Sequence, residues 1–164
     1  KGYRCYEPFI TFTMDEVDAL AKAGADIIAA DCTLRKRINN QTVEEFIQEV
    51  KRKYPDILLM ADISNYEEGI NAYKAGADIL GTTLSGYTDY TEKLEGPDFN
   101  LVENLVKAVD IPVIAEGRIH YPEQAAKMLE IGAHAVVVGG AITRPLEITE
   151  RFLEAIKEVK LWTI

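Results

Sequence analysis

Five short apolar segments alternate along this chain with segments of helical period. The apolar ones are DIIAADCT (26–33), DILLMADIS (56–64), DILGTTLS (78–85), IPVIAEGRI (111–119) and HAVVVGGAI (134–142). Each is of strand length and continuously apolar rather than alternating, the pattern of strands buried on both faces of a parallel sheet. Between them, MDEVDALAKAG, TVEEFIQEVKRKY, YEEGINAYKAG, FNLVENLVKAV and PEQAAKMLEIG repeat their apolar positions every three to four residues, and EITERFLEAIKEVKLW closes the chain. Strand and helix alternate strictly, which predicts right-handed βαβ units.

The boundaries carry their own chemistry. AGADI occurs at 23–27 and 75–79, with IGAHA at 131–135, so Gly24, Gly76 and Gly132 read as glycines that end a helix directly before a strand. Pro55 and Pro112 announce the other two strands in KYPDI and VDIPV, because proline cannot continue a helix. Strand starts near 26, 56, 78, 111 and 134 are spaced by 30, 22, 33 and 23 residues, a two-unit rhythm that suggests a barrel built from quarter repeats. Five strands do not close a barrel of eight, and an open sheet exposes edges and apolar faces. The expected fold is therefore α/β: the last five βα units of a (β/α)8 TIM barrel that is incomplete at its N-terminus, forming a single domain over residues 1–164. A five-stranded doubly wound sheet of flavodoxin type is the competing arrangement.

Composition narrows the partners. With 18 basic against 27 acidic residues, the net charge of -9 argues against nucleic acid or an anionic membrane, which clustered Lys and Arg would bind. A small anionic ligand needs only a local site. Cys5 and Cys32 fit no disulfide or zinc spacing, and the chain opens on KGYRCYEP without an apolar signal region, so a reduced cytoplasm is the expected compartment.

Active sites of parallel α/β folds lie at the C-terminal ends of the strands. Read there, the chain places Asp31 and Thr33, with Arg35 and Arg37 beyond; Asp62 and Ser64; Thr82, Thr83, Ser85, Gly86 and Tyr87; Glu116, Gly117 and Arg118; and Gly139, Gly140, Thr143 and Arg144. Bland readings stand beside the functional ones. Asp31 or Asp62 can cap a helix or pair with a basic neighbour, Arg35 to Arg37 read as a solvated loop face, and His120 and His134 lack metal-ligand spacing. The long polar stretch TTLSGYTDYTEKLEGPD follows the third strand, where a long loop on a rigid scaffold tends to be functional, although Tyr87 and Tyr90 serve equally as packing. VVVGGAITRP is more specific. Gly139 and Gly140 let backbone N–H groups approach an anion, a helix start adds its dipole, and Arg144 adds bidentate charge, so Gly117 with Arg118 and Gly139 with Gly140 form a candidate phosphate cradle. Glu116 at the neighbouring strand end suits acid or base work beside a carbonyl, without a metal. No nicotinamide, flavin or pyridoxal motif is present, which favours isomerisation of a sugar phosphate without a cofactor.

ITFTMDEVDALAKAGADIIAADCTLRKR, LLMADISNYEEG, GTTLSGYTDYT, IPVIAEGRIHYPEQ and VVVGGAITRPLEIT together resemble the N-acetylmannosamine-6-phosphate 2-epimerase family over nearly the whole chain. The resemblance implies a TIM barrel that interconverts N-acetylmannosamine 6-phosphate and N-acetylglucosamine 6-phosphate in sialic acid and amino-sugar breakdown, by removing the C2 proton and returning one to the opposite face. It implies Glu116 as one catalytic group, Arg144 and its neighbouring glycines as the phosphate site, Asp62 as an acid that contacts the sugar, and pairing into homodimers. Thr83 and Ser85 join the substrate-binding candidates.

The same resemblance marks departures. The family's first strands, with a substrate-binding Gln and Arg, have no counterpart here, its catalytic lysine is absent or is Lys1, and Phe12 replaces a usual proline. A chain of this kind is expected to be inactive alone. Two other readings stay open: another phosphate-binding barrel lyase or synthase, and a binding remnant that keeps the cradle without its base.

Overall fold

The computed structural model describes residues 9–37, 39–157 and 159. Five parallel strands, β1 (Ile27–Asp31), β2 (Leu58–Asp62), β3 (Ile79–Gly81), β4 (Val113–Glu116) and β5 (Ala135–Val137), pair in the order β1-β2-β3-β4-β5. Around them run α1 (Met14–Lys22), α2 (Val43–Lys53), α3 (Tyr66–Ala75), α4 (Phe99–Ala108), α5 (Pro122–Glu130), α6 (Gly140–Thr143) and α7 (Pro145–Lys157).

The strand order discriminates between the two expected folds. A doubly wound sheet reverses its direction of travel and places helices on both faces. Here the chain advances one strand at a time, so right-handed crossovers lay every connecting helix on the same face. Burial follows that geometry. Ile28, Ala30, Leu59, Ala61, Leu80, Val113 and Ala115 form the core together with Val17, Phe46, Val50, Ala72, Val102, Leu105 and Met128 of the helices. The alternate strand positions face the other way, and there Ile27 is 50%, Leu58 43% and Val137 40% exposed. This is the arrangement of consecutive βα units of an α/β barrel. The doubly wound alternative falls, and so does burial of the strands on both faces, since the helices cover only one.

Local chemistry explains the boundaries. Thr42, Asn65 and Asp98 each accept a hydrogen bond from the backbone N–H three residues on, satisfying donors that the first turn leaves open. Gly76 ends α3 at φ 103°, a left-handed conformation that costs glycine nothing, and Gly24 and Gly132 also take positive φ. The strands are shorter than the apolar runs that predict them. The difference matters most in the last run, where residues 139–142 were expected to continue the strand, whereas the strand stops at Val137 and Gly140 opens α6. Among the described residues, no helix is long and apolar enough to cross a membrane. Lys1 and Cys5 lie outside the described residues; Cys32 is a buried free thiol whose pKa burial pushes up.

Candidate active site

Register brings three oxygen-bearing side chains to one spot. Asp62 pairs with Gly81 and Gly81 with Ile114, so by the two-residue period of strands Asp62, Thr83 and Glu116 fall on the same side of the sheet at its C-terminal rim. The Thr83 hydroxyl lies 2.7 Å from Asp62 Oδ1 and 3.1 Å from Glu116 Oε2. Thr82, on the opposite side, fixes Glu116 by its main chain: its Oγ1 donates to the Glu116 carbonyl at 2.9 Å and accepts from the Glu116 N–H at 3.0 Å.

Electrostatics there favour neutral acids. Burial raises the Asp62 carboxyl to about 7, the Thr83 hydrogen bond opposes that rise, and the negative charges of Glu116 and Asp31 add to it. Glu116 is half-buried; desolvation pushes its pKa up and the Thr83 hydroxyl pulls it back.

Glu116 and Thr83 open onto a cavity of about 430 Å³ whose wall also includes Gly117, Arg118, Gly139, Gly140 and Arg144, with Phe9, Ile10, Leu84 and Val137 as its apolar part. An acid from the end of β4 and a glycine pair with an arginine from beyond β5 thus share one hollow. The chain turns sharply as it leaves β4, with Gly117 at φ 104° and Arg118, unusually for a side-chain-bearing residue, at φ 54°.

Not every candidate meets the cavity as expected. The Arg118 guanidinium donates to the Gly96 carbonyl at 2.9 Å, to the Ser85 carbonyl, and to Ser85 Oγ at 3.3 Å. Its charge pins the loop after β3 to the turn after β4 instead of pointing free into the cavity. Ser85 is 2% exposed, and its hydroxyl donates to Asp98, the N-cap of α4, at 3.2 Å, so it braces that loop from within. Asp62, 2% exposed, sits beneath Thr83 rather than on the cavity wall. Arg144 is exposed and paired with Glu147 at 2.6 Å, within reach of the cavity. Gly140 lies under that pair, where a Cβ would stand 2.8 Å from Glu147 Oε2.

In the basic loop after β1, Lys36 is exposed as expected of a solvated face, but its two arginines are not. Arg37 is 3% exposed, donates to the carbonyls of Phe12 (2.6 Å) and Asp31, and stacks 3.8 Å from the Phe46 ring centroid. Arg35 pairs with Asp31, which also accepts from the N–H and hydroxyl of Thr33. For Asp31 the pairing with a basic neighbour is what the structure shows. Phe12, the proline replacement, lends Arg37 both its carbonyl and a ring 4.7 Å away.

Sequence reasoning passed over two residues. Thr82 was read only as one of several rim hydroxyls. Glu68 was hidden inside a helix: fully buried, it accepts from Ser64 N–H (2.6 Å), Ser64 Oγ (2.7 Å), Leu34 N–H (2.9 Å) and Tyr90 Oη (2.6 Å), tying three strand-end loops together. A glutamate three residues after Asn65 is an ordinary helix-start signal, which masks the inward aim. The imidazoles of His120 and His134 do not join a metal cluster; among the described residues no group of three or more His, Cys, Asp or Glu could hold a metal ion.

Residues 1–158 match the family model described as "Putative N-acetylmannosamine-6-phosphate epimerase". A relative from Caldanaerobacter subterraneus subsp. tengcongensis, "Putative N-acetylmannosamine-6-phosphate 2-epimerase", is 58% identical over 158 residues, covering 96% of this chain and 67% of its own length. One of the same description from Clostridioides difficile is 50% identical, covering 96% and 70%. The solved structure of the N-acetylmannosamine-6-phosphate 2-epimerase from Clostridium perfringens superposes with a TM-score of 0.85 at 50% identity, covering 94% of this chain and 67% of that one. The thiamine phosphate pyrophosphorylase of Pyrococcus furiosus, at 22% identity and a TM-score of 0.57 over 87% of this chain and 64% of its own, shares the fold alone. With a family model matched over nearly its whole length and relatives identical at half or more of the aligned positions, the chain belongs to the N-acetylmannosamine-6-phosphate epimerase family.

Proposed function

We propose that the cavity is an epimerase site for N-acetylmannosamine 6-phosphate and N-acetylglucosamine 6-phosphate, two sugars that differ in configuration at C2, and that the protein serves amino-sugar and sialic acid breakdown. One observation carries this reading: the Glu116 carboxyl shares a hollow with Gly139, Gly140 and Arg144. A phosphate seated on the glycine backbone, with Arg144 turning to it from Glu147, places a short sugar chain between that anchor and the acid. Glu116 then exchanges a proton at C2 beside the carbonyl of the opened sugar. Desolvation raises its pKa above the ordinary carboxylate value, which makes the carboxylate a stronger base for that work. Epimerisation needs a second group on the opposite face. The family resemblance supplies a lysine for that role, and the candidate for it, Lys1, lies outside the described residues.

The substrate pair accounts for acid and anion site together, and family membership favours it over a lyase or synthase of the same barrel type. A binding protein that retains only the cradle is the alternative, and it has no use for an acid held at its main chain on both sides. The test is deuterium incorporation at C2 of N-acetylmannosamine 6-phosphate in heavy water. Glu116→Gln should lower the exchange rate at least about a hundredfold while phosphate affinity stays within about threefold. Exchange that persists in the Gln variant removes Glu116 from the chemistry; ligand binding with no exchange, even when the chain is joined to the family's first strands and their lysine, favours the binding protein.

A further inference from the structure

Thr83 stands between two acids with one hydrogen to give. A hydroxyl donates once, yet Oγ1 is within hydrogen-bonding reach of Asp62 Oδ1 (2.7 Å) and Glu116 Oε2 (3.1 Å). Both contacts are satisfied together only when one carboxyl is protonated and donates to Oγ1 while the hydroxyl donates to the other. We infer that Asp62, Thr83 and Glu116 form a proton relay in which Asp62 is a buried proton store that resets Glu116 through the Thr83 hydroxyl. Protonated Glu116 donates to Thr83 Oγ1, the Thr83 hydrogen passes to Asp62 Oδ1, and Glu116 is left as carboxylate. The reverse shift returns the proton. One proton moves from one carboxyl to the other, the threonine is regenerated, and no co-reactant is required.

This rests on the epimerase reading for its purpose, not for its geometry. Proton transfer at C2 leaves Glu116 in the opposite protonation state from the one in which it began, and a partner behind the cavity wall can restore it without waiting for solvent. Asp62 is placed for that task. It is 2% exposed, beneath Thr83 and off the cavity wall, so in this structure it reaches the cavity through the hydroxyl.

The surroundings bias it toward holding a proton. Asp31 faces it from β1 and Glu116 from β4, and both disfavour its charge; the Cys32 thiol nearby is itself held neutral by burial. Among the described residues, the nearby cations are committed elsewhere, with Arg35 on Asp31 and Arg37 on the Phe12 and Asp31 carbonyls. Glu68 of α3 is fixed by its four donors. With burial added, Asp62 gains a proton at about 7, where a store is useful.

Space for the relay is reserved by a missing side chain. A Cβ on Gly81 would fall 2.7 Å from Asp62 Oδ1 and 3.3 Å from Thr83 Oγ1, and would collide with the Met60 methyl as well. The strand position between the acids and the hydroxyl is empty so that the three oxygens can meet.

The experiment uses the full chain with 13C-labelled Asp and Glu carboxyls and titrates Glu116 by NMR in four backgrounds: parent, Asp62→Asn, Thr83→Val and the double variant. Neutralising Asp62 should shift the Glu116 pKa by at least about half a unit more when Thr83 is present than when it is Val. Equal shifts in the two backgrounds mean that the acids interact only through space, and the relay is wrong. This readout needs no turnover, so it stands apart from the epimerase reading, which the exchange assay with Glu116→Gln tests separately. In a chain that exchanges C2 deuterium, Thr83→Val should lower the rate at least about tenfold at unchanged KM, flatten the pH dependence near neutrality, and be rescued to within about threefold by Thr83→Ser. Failure of the serine variant to restore rate and profile overturns the relay, because serine retains the hydroxyl and loses only the methyl.

Discussion

Thr82 and Thr83 are adjacent, point to opposite sides of the sheet, and both serve Glu116. Thr82 holds its backbone and Thr83 contacts its carboxyl. Replacing Thr82 by Val removes two hydrogen bonds without changing shape and should lower stability by roughly 1–3 kcal/mol, read from urea unfolding. Arg144 is the opposite case, exposed and, among the described residues, paired with Glu147, so Arg144→Gln should leave the unfolding midpoint unchanged while weakening sugar-phosphate binding, read as Kd, at least about tenfold. At this scale the gathering of Glu116, Gly139, Gly140 and Arg144 around one hollow was legible, because a charged or glycine-rich break in an apolar run has few structural explanations. Arg118 and Ser85 were legible as rim residues but not as a brace, since nothing local says whether a guanidinium faces a ligand or a neighbouring loop. Glu68 was illegible, because amphipathic period does not reveal which acid is swallowed by loops far away in the chain.

Elements were the most readable level. All five strands and the five helices between and before them lie where hydrophobic period put them, with glycine or proline at the boundaries, because those signals are local. The last apolar run misled at its end. GGAI is apolar enough for a strand, but the glycines release the backbone into α6. The loop after β3 owes its shape to Arg118, whose side chain bonds both its ends. Arg118→Ala should therefore free residues 86–98, expose them to proteolytic nicking, and lower stability by roughly 1–3 kcal/mol. Helices should also differ in protection. α2 buries Phe46, Ile47 and Val50 completely, whereas α7 has no buried residue among those described, and Phe152 and Ile156 on it are 68% and 60% exposed. Native-state hydrogen exchange should release α7 amides well before those of α2.

Over the whole molecule the buried acids set how stability responds to pH. Asp62 has a folded pKa of about 7 against an ordinary value of 3.8, so between those limits the folded chain keeps a proton that the unfolded chain has given up. Raising pH through that window therefore weakens folding, by about 1.4 kcal/mol per unit for this one group, and Asp31 and Glu116 act in the same direction. Asp62→Asn should be less pH-sensitive than the parent and more stable than it at pH 8 in urea titrations; a parent chain that gains stability from pH 5 to 8 would contradict the raised pKa. The barrel-type architecture was legible from the unit rhythm, and the strand order was needed to decide it, because alternation alone fits a doubly wound sheet equally well. That order has a further consequence. Since each paired strand follows its neighbour directly along the polypeptide, every pairing closes the shortest loop that a βα unit allows, and a ribosome emitting this chain delivers each partner just as its docking edge becomes available.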